Sequence, residues 1–268
     1  MTLGFRIRPV TTRVDPALCA RAARVPAANL GDVVNRIQTM RGGFRAFGGR
    51  RQVAGPAFTV RARSGDNLML HRAIDMAEPG DVIVVDAGGD LAIAITGELM
   101  MGWAAKRGIA AVVVDGAVRD VAQLGAMHLG VWACGVTPSG PYKDGPGEIG
   151  YPVSCGGQVV MPGDLIMADE DGVVVLPAAD AAAAVAAGEA HNARRSRPRR
   201  RSTAAAGSAT GWWRRCGPRA AAGPEPLAPH RRRSILGGQP EGGAELHRAE
   251  GQAAEAPEQD QRQRAAGG

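Results

Sequence analysis

Hydrophobic and polar positions follow patterns typical of a mixed α/β protein over roughly the first 190 residues. Two Val-rich runs, DVIVVDAG (81–88) and IAAVVVDG (109–116), are apolar at consecutive positions and bounded by glycine, which is typical of strands buried on both faces. The segment between them, Glu98 to Arg107, is amphipathic and ends at Gly108, which predicts a helix. A strand–helix–strand crossover of this kind predicts that the two strands are parallel neighbours.

Shorter patterns predict the remaining elements. Residues 16–25 and 28–40 are spaced as helices, with Asn29 or Asp32 as the cap of the second and Gly42–Gly43 after it. The other predicted elements are a strand at 54–63, a helix at 66–77 with Asp66 as its N-cap, a strand at 131–136 and a hairpin within 158–177. Together they predict a single α/β domain.

The composition changes near residue 194. Residues 1–193 carry 17 basic and 19 acidic side chains (net −2), whereas residues 194–268 carry 15 and 7 (net +8). Only four of those last 75 residues are Val, Ile, Leu, Phe or Met, too few to offset the entropy of ordering them. We therefore predict a domain over 1–193 and a disordered low-complexity tail over 194–268. The tail is rich in Arg, Ala, Gly and Pro, the residues that GC-rich codons encode. This composition favours a frameshift product over a natural basic tail.

Composition also narrows the cellular setting. No stretch has the apolar run of a secretory signal or the ~20 apolar residues of a spanning helix. The four cysteines show no CxxC spacing, which predicts reduced thiols in a cytoplasmic protein without membrane contact. Nucleic-acid binding is expected only weakly, through the basic tail and its Trp212–Trp213 pair.

The charged residues around the crossover are the candidate site. Parallel strands end at one edge of a sheet, so the helix start at Gly97–Met100 should lie near Arg119 and Asp120. First-turn amides form an anion site, and Arg119 offers a planar fork for a carboxylate. Asp120 and Glu98 offer hard oxygen ligands for Mg²⁺ or Mn²⁺. The loop DAGGD (86–90) should reach the same corner. Each feature alone is typical of a solvated surface, but their combination favours a site for a metal-chelating carboxylate.

These motifs also carry a family resemblance. GDNLMLHRAIDMAEPGDVIVVDAGGD, then GELM, then VVVDGAVRDVAQL resemble the RraA-like proteins, and the similarity runs from about Ala28 to Ala190. The family includes metal-dependent 4-hydroxy-4-methyl-2-oxoglutarate / 4-carboxy-4-hydroxy-2-oxoadipate aldolases. The resemblance implies one compact domain of layered β/β/α architecture.

The resemblance also implies roles for individual residues. Substrate would contact Gly97, Glu98, Leu99, Met100 and Arg119. The catalytic residues would be Arg119 and Glu98, and Asp120 would ligate Mg²⁺ or Mn²⁺. The family commonly has Asp at the position of Glu98, so the longer side chain departs from its pattern.

The implied activity is cleavage of a 2-keto acid to pyruvate, with oxaloacetate decarboxylation as a side activity, in a homotrimer or hexamer. The alternative is a non-catalytic regulator that binds and inhibits ribonuclease E. A Schiff-base aldolase would need a buried lysine, and Lys106 and Lys143 are predicted at exposed positions. A zinc aldolase would need clustered histidines, which the sequence lacks. His71 is predicted to be a packed or interface residue, and 169–171 a hairpin turn, with a second metal site there a remote alternative.

Overall fold

The computed structural model describes residues 2–196. Its helices are α1 (Pro16–Ala22), α2 (Ala27–Val33), α3 (Leu68–Met76), α4 (Glu98–Lys106), α5 (Val121–Ala126) and α6 (Ala181–Ser196). Its strands are β1 (Arg45–Ala46), β2 (Val53–Ala62), β3 (Val82–Asp86), β4 (Ala94–Thr96), β5 (Ala111–Val118), β6 (Gly130–Val136), β7 (Gly147–Ile149), β8 (Val153–Cys155), β9 (Gln158–Val160), β10 (Leu165–Asp169) and β11 (Gly172–Leu176).

A nine-stranded sheet organises the fold. Its strand order is β1-β6-β5-β3-β2-β10-β11, with β4 beside β5 and β7 beside β2. The strands β2, β3, β5 and β6 run parallel, and Val84 of β3 pairs with Val113 of β5. The predicted parallel crossover is therefore confirmed.

Both faces of this sheet are covered, as the continuous apolar runs require. Ile83 and Val85 pack on one side with α3 and α4, whereas Val82 and Val84 face the side covered by the β8–β9 hairpin. The helices α1, α2 and α6 pack against β10 and β11 in a third cluster. The described residues thus have the α/β class and the layered β/β/α architecture that were predicted.

The start of α2 differs from the prediction. Its N-cap is Pro26, so neither Asn29 nor Asp32 caps it. Asp169 Oδ2, at the end of β10 beside the hairpin turn, accepts a hydrogen bond from the Ala27 N–H at 2.7 Å. A carboxylate distant in sequence thereby satisfies a first-turn amide, and local spacing could not reveal it.

The end of α2 also comes earlier than predicted. The helix ends at Val33 rather than near residue 40, because Asn35 and Arg36 adopt left-handed φ values of 57° and 62°. The hairpin prediction is confirmed, since Leu165 pairs with Leu176 across an antiparallel β10–β11 register.

The C-terminal helix α6 continues three residues past the predicted boundary at Ala193. Its Arg195 Nη1 lies 3.4 Å from Asn29 Oδ1 and 3.9 Å from Asp32 Oδ2. The rest of the predicted tail, from residue 197, lies outside the described residues. Within residues 2–196, no helix is long and apolar enough to cross a membrane.

Candidate active site

An unpredicted strand brings the two halves of the candidate site together. β4 pairs in parallel with the end of β5, with Thr96 opposite Val118. The Arg119 N–H then donates to the Thr96 carbonyl oxygen at 3.0 Å. Because α4 begins immediately after β4, its first turn lies directly beside Arg119 and Asp120.

Asp120, which follows β5, contacts the start of α4. Its Oδ2 accepts a hydrogen bond from the Glu98 N–H at 3.0 Å and lies 3.6 Å from Arg119 Nε. Asp120 has the left-handed backbone conformation (φ 58°, ψ 41°), which aspartate tolerates better than most residues. Among residues 2–196, the N–H groups of Leu99 and Met100 have no acceptor, as expected for a first helical turn.

Two glycines leave room for these charged groups. A Cβ atom at residue 97 would overlap Asp120 Oδ2 and lie 2.8 Å from Arg119 Cγ. A Cβ atom at residue 140 would lie 2.7 Å from Arg119 Nη1. The Arg119 side chain thus runs between Gly97 and Gly140, and the close approach, not the backbone angle, requires glycine at residue 97.

A cavity of about 320 Å³ opens at this corner. Its lining residues are Asn67, His71, Thr96, Gly97, Leu99, Met100, Arg119, Asp120, Gly140, Pro141 and Lys143. The predicted residues Gly97, Leu99, Met100, Arg119 and Asp120 are therefore brought together at one cavity.

The polar lining residues that the sequence prediction missed include Asn67, His71 and Lys143. Asn67 and His71 are one turn apart at the start of an amphipathic helix, a spacing that could have indicated a shared polar face. His71 presents an exposed surface, so it is not a packed core residue, and the interface position predicted as the alternative stays a prediction. Lys143 lies in a loop between β6 and β7, and no local pattern indicates its neighbours.

These three side chains give the cavity a hydrogen-bonding and cationic wall. Asn67 Nδ2 donates to the Ile95 carbonyl oxygen at 3.0 Å, while its buried Oδ1 has no hydrogen-bond partner within residues 2–196. Partial burial and then the charge of Lys143 lower the pKa of His71. The neutral imidazole is therefore favoured near pH 7, and Lys143 and Arg119 are the cationic lining residues.

The Glu98 side chain is placed differently from the rest. It is exposed and lines a neighbouring cavity of about 290 Å³ together with Trp103 and Lys106. Only its backbone N–H contacts Asp120. The catalytic role predicted for Glu98 stays a prediction.

The glycine-rich loop 86–90 does not reach this cavity, contrary to expectation. Its Gly89 N–H donates to the Asp115 carbonyl oxygen at 3.0 Å, and residue 89 lies against Arg41. The loop is displaced because the chain continues into β4 before α4 begins, so β4, not this loop, flanks Arg119.

Asp115 lies within β5 and outside the lining of the candidate cavity. The buried carboxylate binds Arg41 and accepts from the Gly156 N–H at 2.7 Å. Cys134 donates toward the same carboxylate at 3.6 Å, and burial together with Asp115 raises its pKa to about 11. Since the thiolate is the reactive form, this arrangement disfavours a cysteine nucleophile.

The carboxylate of Asp120 fits a divalent cation that needs few protein ligands. Within residues 2–196, no group of three or more His, Cys, Asp or Glu side chains converges, so a closed zinc-type site is not formed there. Asp120 contacts the Glu98 N–H and Arg119 through Oδ2, and its side chain is 38% exposed. Mg²⁺ commonly takes one or two carboxylates and completes its shell with water and substrate oxygens, which this corner allows.

The sequence of this domain matches a recognised protein family. A family model described as RraA-like, Aldolase/RraA, matches residues 27–175. The chain therefore belongs to the Aldolase/RraA family.

Individual relatives carry two kinds of name. The chain is 42% identical over 153 residues to a Halalkalibacterium halodurans protein named "Putative 4-hydroxy-4-methyl-2-oxoglutarate aldolase", covering 57% of this chain and 73% of that protein. It is 39% identical over 134 residues to a Thermus thermophilus protein named "4-hydroxy-4-methyl-2-oxoglutarate aldolase", covering 50% and 81%. A solved Thermus thermophilus structure described as the RNA-processing inhibitor RraA matches with a TM-score of 0.53 and 36% identity, covering 57% of this chain and 92% of that one.

Proposed function

We propose that this protein is a divalent-metal-dependent lyase that cleaves 4-hydroxy-4-methyl-2-oxoglutarate-type 2-keto acids to pyruvate. The observation that carries the proposal is the convergence of Arg119, Asp120 and the first turn of α4 on one cavity. The aldolase names of the relatives support the same reaction class. Oxaloacetate decarboxylation is proposed as a side activity, because it passes through the same pyruvate enolate.

The reaction breaks the C3–C4 bond of the substrate. The 4-hydroxyl proton passes to water, C4 becomes the keto carbon of one product, and the C3–C4 electron pair stays on the other product as a pyruvate enolate. C3 of that enolate then takes up a proton from water to complete pyruvate. Asp120 would hold the metal, and water and substrate oxygens would complete its ligands. When bound, the cation supplies positive charge beside the substrate's carboxylate and keto oxygens.

The chain's own residues orient the substrate and stabilise the developing charge. Arg119 donates to the oxygen that becomes negative as C3–C4 breaks. The N–H groups of Leu99 and Met100, at the positive end of α4, bind the carboxylate next to the keto group. Lys143 binds the second carboxylate, and the unpaired Asn67 Oδ1 accepts a hydrogen bond from the substrate hydroxyl.

Lys143 does not favour a Schiff-base route. A lysine that attacks a carbonyl at neutral pH is usually desolvated in an apolar pocket or placed beside another cation. Lys143 is exposed, and the neighbouring His71 is held toward its neutral form. The lysine therefore fits a carboxylate-binding role better than a covalent one.

A second candidate function is binding and inhibition of ribonuclease E, without chemistry. The observation that favours it is the likeness to the Thermus RNA-processing inhibitor. We also propose assembly as a homotrimer or hexamer, supported by the exposed Leu99 and Trp103 beside the cavity. Sedimentation velocity measures that assembly directly.

Pyruvate release from 4-hydroxy-4-methyl-2-oxoglutarate, coupled to lactate dehydrogenase, tests the proposal. We expect activity with Mg²⁺ or Mn²⁺, loss with EDTA, recovery on adding metal, and loss in Asp120→Ala. Retention of most activity by Asp120→Ala in EDTA would exclude the metal mechanism. No pyruvate release with either metal, combined with inhibition of ribonuclease E, would establish the second candidate instead.

A further inference from the structure

Asp66 is a buried carboxylate beside the cavity but outside its lining. Asp66 is only 1% exposed. Oδ1 accepts a hydrogen bond from the Leu68 N–H at 2.9 Å, at the start of α3. Oδ2 accepts from the Asp144 N–H at 2.7 Å and the Gly145 N–H at 2.9 Å. Hydrogen bonds from N–H groups to an ionised carboxylate are among the stronger ones in proteins.

These bonds join two segments that both line the cavity. The start of α3 carries Asn67, and the loop before β7 carries Lys143. Two backbone bonds reinforce the junction, from the Asn67 N–H to the Tyr142 carbonyl oxygen at 3.0 Å and from the Tyr142 N–H to the Gly65 carbonyl oxygen at 2.8 Å. Lys143 thus lies between two residues whose backbones are tied to the 65–67 segment.

The loop has little side-chain burial of its own at this point. Tyr142 is 57% exposed, and Lys143 and Asp144 are also exposed. Backbone hydrogen bonds, rather than apolar packing, therefore fix these three residues. Asp66 Oδ2 accepts one of those bonds, from the Asp144 N–H, and also accepts from the N–H of the next residue, Gly145.

We propose that Asp66 is a positioning residue that sets the place of Lys143 and thereby the subsite for the second carboxylate of the substrate. The substrate part of this inference rests on the proposed function, whereas the tethering of the loop does not. A carboxylate is needed because all three partners are donors. An asparagine would direct its NH₂ group at the Leu68 N–H in one amide orientation and at both loop N–H groups in the other.

Two substitutions at Asp66 and a matched control test the tether. Asp66→Asn disturbs one side of the junction, whereas Asp66→Ser keeps an acceptor for Leu68 but is too short to reach the loop. Asp164→Asn is the control, because Asp164 is also buried (5% exposed) and accepts from the Met161 and Ala178 N–H groups away from the cavity lining.

Hydrogen–deuterium exchange gives a readout that needs no activity. We expect the amides of residues 142–145 to exchange faster in Asp66→Asn and Asp66→Ser, and to be unchanged in Asp164→Asn. Unchanged exchange in a folded Asp66→Ser protein would overturn the tether, even if the protein is an active lyase. If Asp66→Asn does not fold, the exchange rates of Asp66→Ser alone test the tether.

A double-mutant cycle with Lys143→Ala tests whether Asp66 acts through Lys143. We expect each single variant to raise KM for 4-hydroxy-4-methyl-2-oxoglutarate about tenfold while kcat changes less, the pattern of lost ground-state binding. The double variant should be no worse than Lys143→Ala. Losses that multiply would show that Asp66 acts independently of Lys143. A wild-type protein without pyruvate release would refute the proposed function, while the exchange experiment would still judge the tether.

Discussion

At the scale of single residues, the candidate site depends on close contacts that tolerate little change. Arg119 passes between Gly97 and Gly140, and Asp120 reaches across to the first turn of α4 through one hydrogen bond. The planar guanidinium of Arg119 and the missing Cβ atom of Gly97 each contribute separately to the geometry of the site. One conservative substitution at either residue tests its contribution.

Arg119→Lys should lower kcat/KM for pyruvate release by more than tenfold, equivalent to about 1.4 kcal/mol of transition-state stabilisation. Lysine keeps the charge but loses the planar, fixed fork of N–H donors with which Arg119 is proposed to stabilise the oxygen that becomes negative. Arg51→Lys is the control, because Arg51 donates to the Ala46 carbonyl oxygen outside the cavity lining. A smaller loss in Arg119→Lys would show that Arg119 does not clamp the substrate.

Gly97→Ala should lower metal-dependent activity about tenfold or more, because the new methyl group displaces Asp120 and Arg119. Gly102→Ala on the same helix is the matched control. No atom lies within 4 Å of a Cβ at that position, and alanine should stabilise the helix by up to about 1 kcal/mol. Equal steady-state activity in the two variants would contradict the geometry of this corner.

At the scale of elements, contacts between distant parts of the sequence hold the N-terminal segment in place. The N-terminal segment runs along β7, where the Ile149 N–H donates to the Arg6 carbonyl oxygen at 3.0 Å. Arg6 also pairs with the buried Glu148 of β7 and stacks 4.3 Å from the centre of the Tyr151 ring. This segment is therefore attached through one ion pair with a buried carboxylate as well as through backbone bonds.

Glu148→Gln should lower the melting temperature at pH 7 by on the order of 5 °C, since it breaks an ion pair whose carboxylate is buried. The hydrogen bond from Arg6 lowers the pKa of Glu148 below its usual value of 4.5. The stabilisation is therefore complete above about pH 4.5 and is lost as the pH falls through the lower, folded-state pKa. The difference from wild type should shrink as the pH is lowered from about 5 to about 3.

Glu189→Gln provides the comparison for that experiment. Glu189 pairs with Arg21 at 2.7 Å, but both side chains are substantially exposed. Solvent screens such a pair, so its loss should shift the melting temperature much less. Equal shifts in the two variants would show that the burial of Glu148 does not increase the stabilisation by its ion pair.

At the scale of the whole molecule, the described residues carry the buried core, and α6 is part of it. Ala181 and Val185 of α6 are fully buried beside Leu30 and Leu176. The basic charge lies mostly after this helix, with a net +8 over residues 194–268 against −2 before them. Stability and charge should therefore separate when the chain is shortened.

A chain of residues 1–196 should melt within a few degrees of the full-length protein, whereas a chain of residues 1–180 should lose its cooperative transition. Affinity for single-stranded RNA should be present only in the full-length protein and should fall steeply with salt, because bound phosphates release counterions. Calorimetry and fluorescence titration at low and moderate salt measure the two effects. Unfolding of the 1–196 chain would show that later residues are structural.

The hydrophobic pattern determined much of the fold by itself. The runs at 81–88 and 109–116 become β3 and β5, neighbours in a parallel sheet, because strands apolar at every position must be covered on both faces. The helix at Glu98–Lys106 and the hairpin near residue 170 likewise follow from local periodicity and turn residues. The proximity of Arg119 and Asp120 to Gly97 follows from the crossover topology.

Only the tertiary structure decided which other residues share that corner. β4 has three residues and no distinctive pattern, yet its pairing with β5 places α4 beside Arg119 and leaves the 86–90 loop elsewhere. Lys143 reaches the cavity because Asp66, 77 positions earlier, accepts the N–H groups that follow it. Periodicity records which face of an element is buried, but hydrogen bonds between distant segments depend on the packed chain and leave no repeat in the sequence.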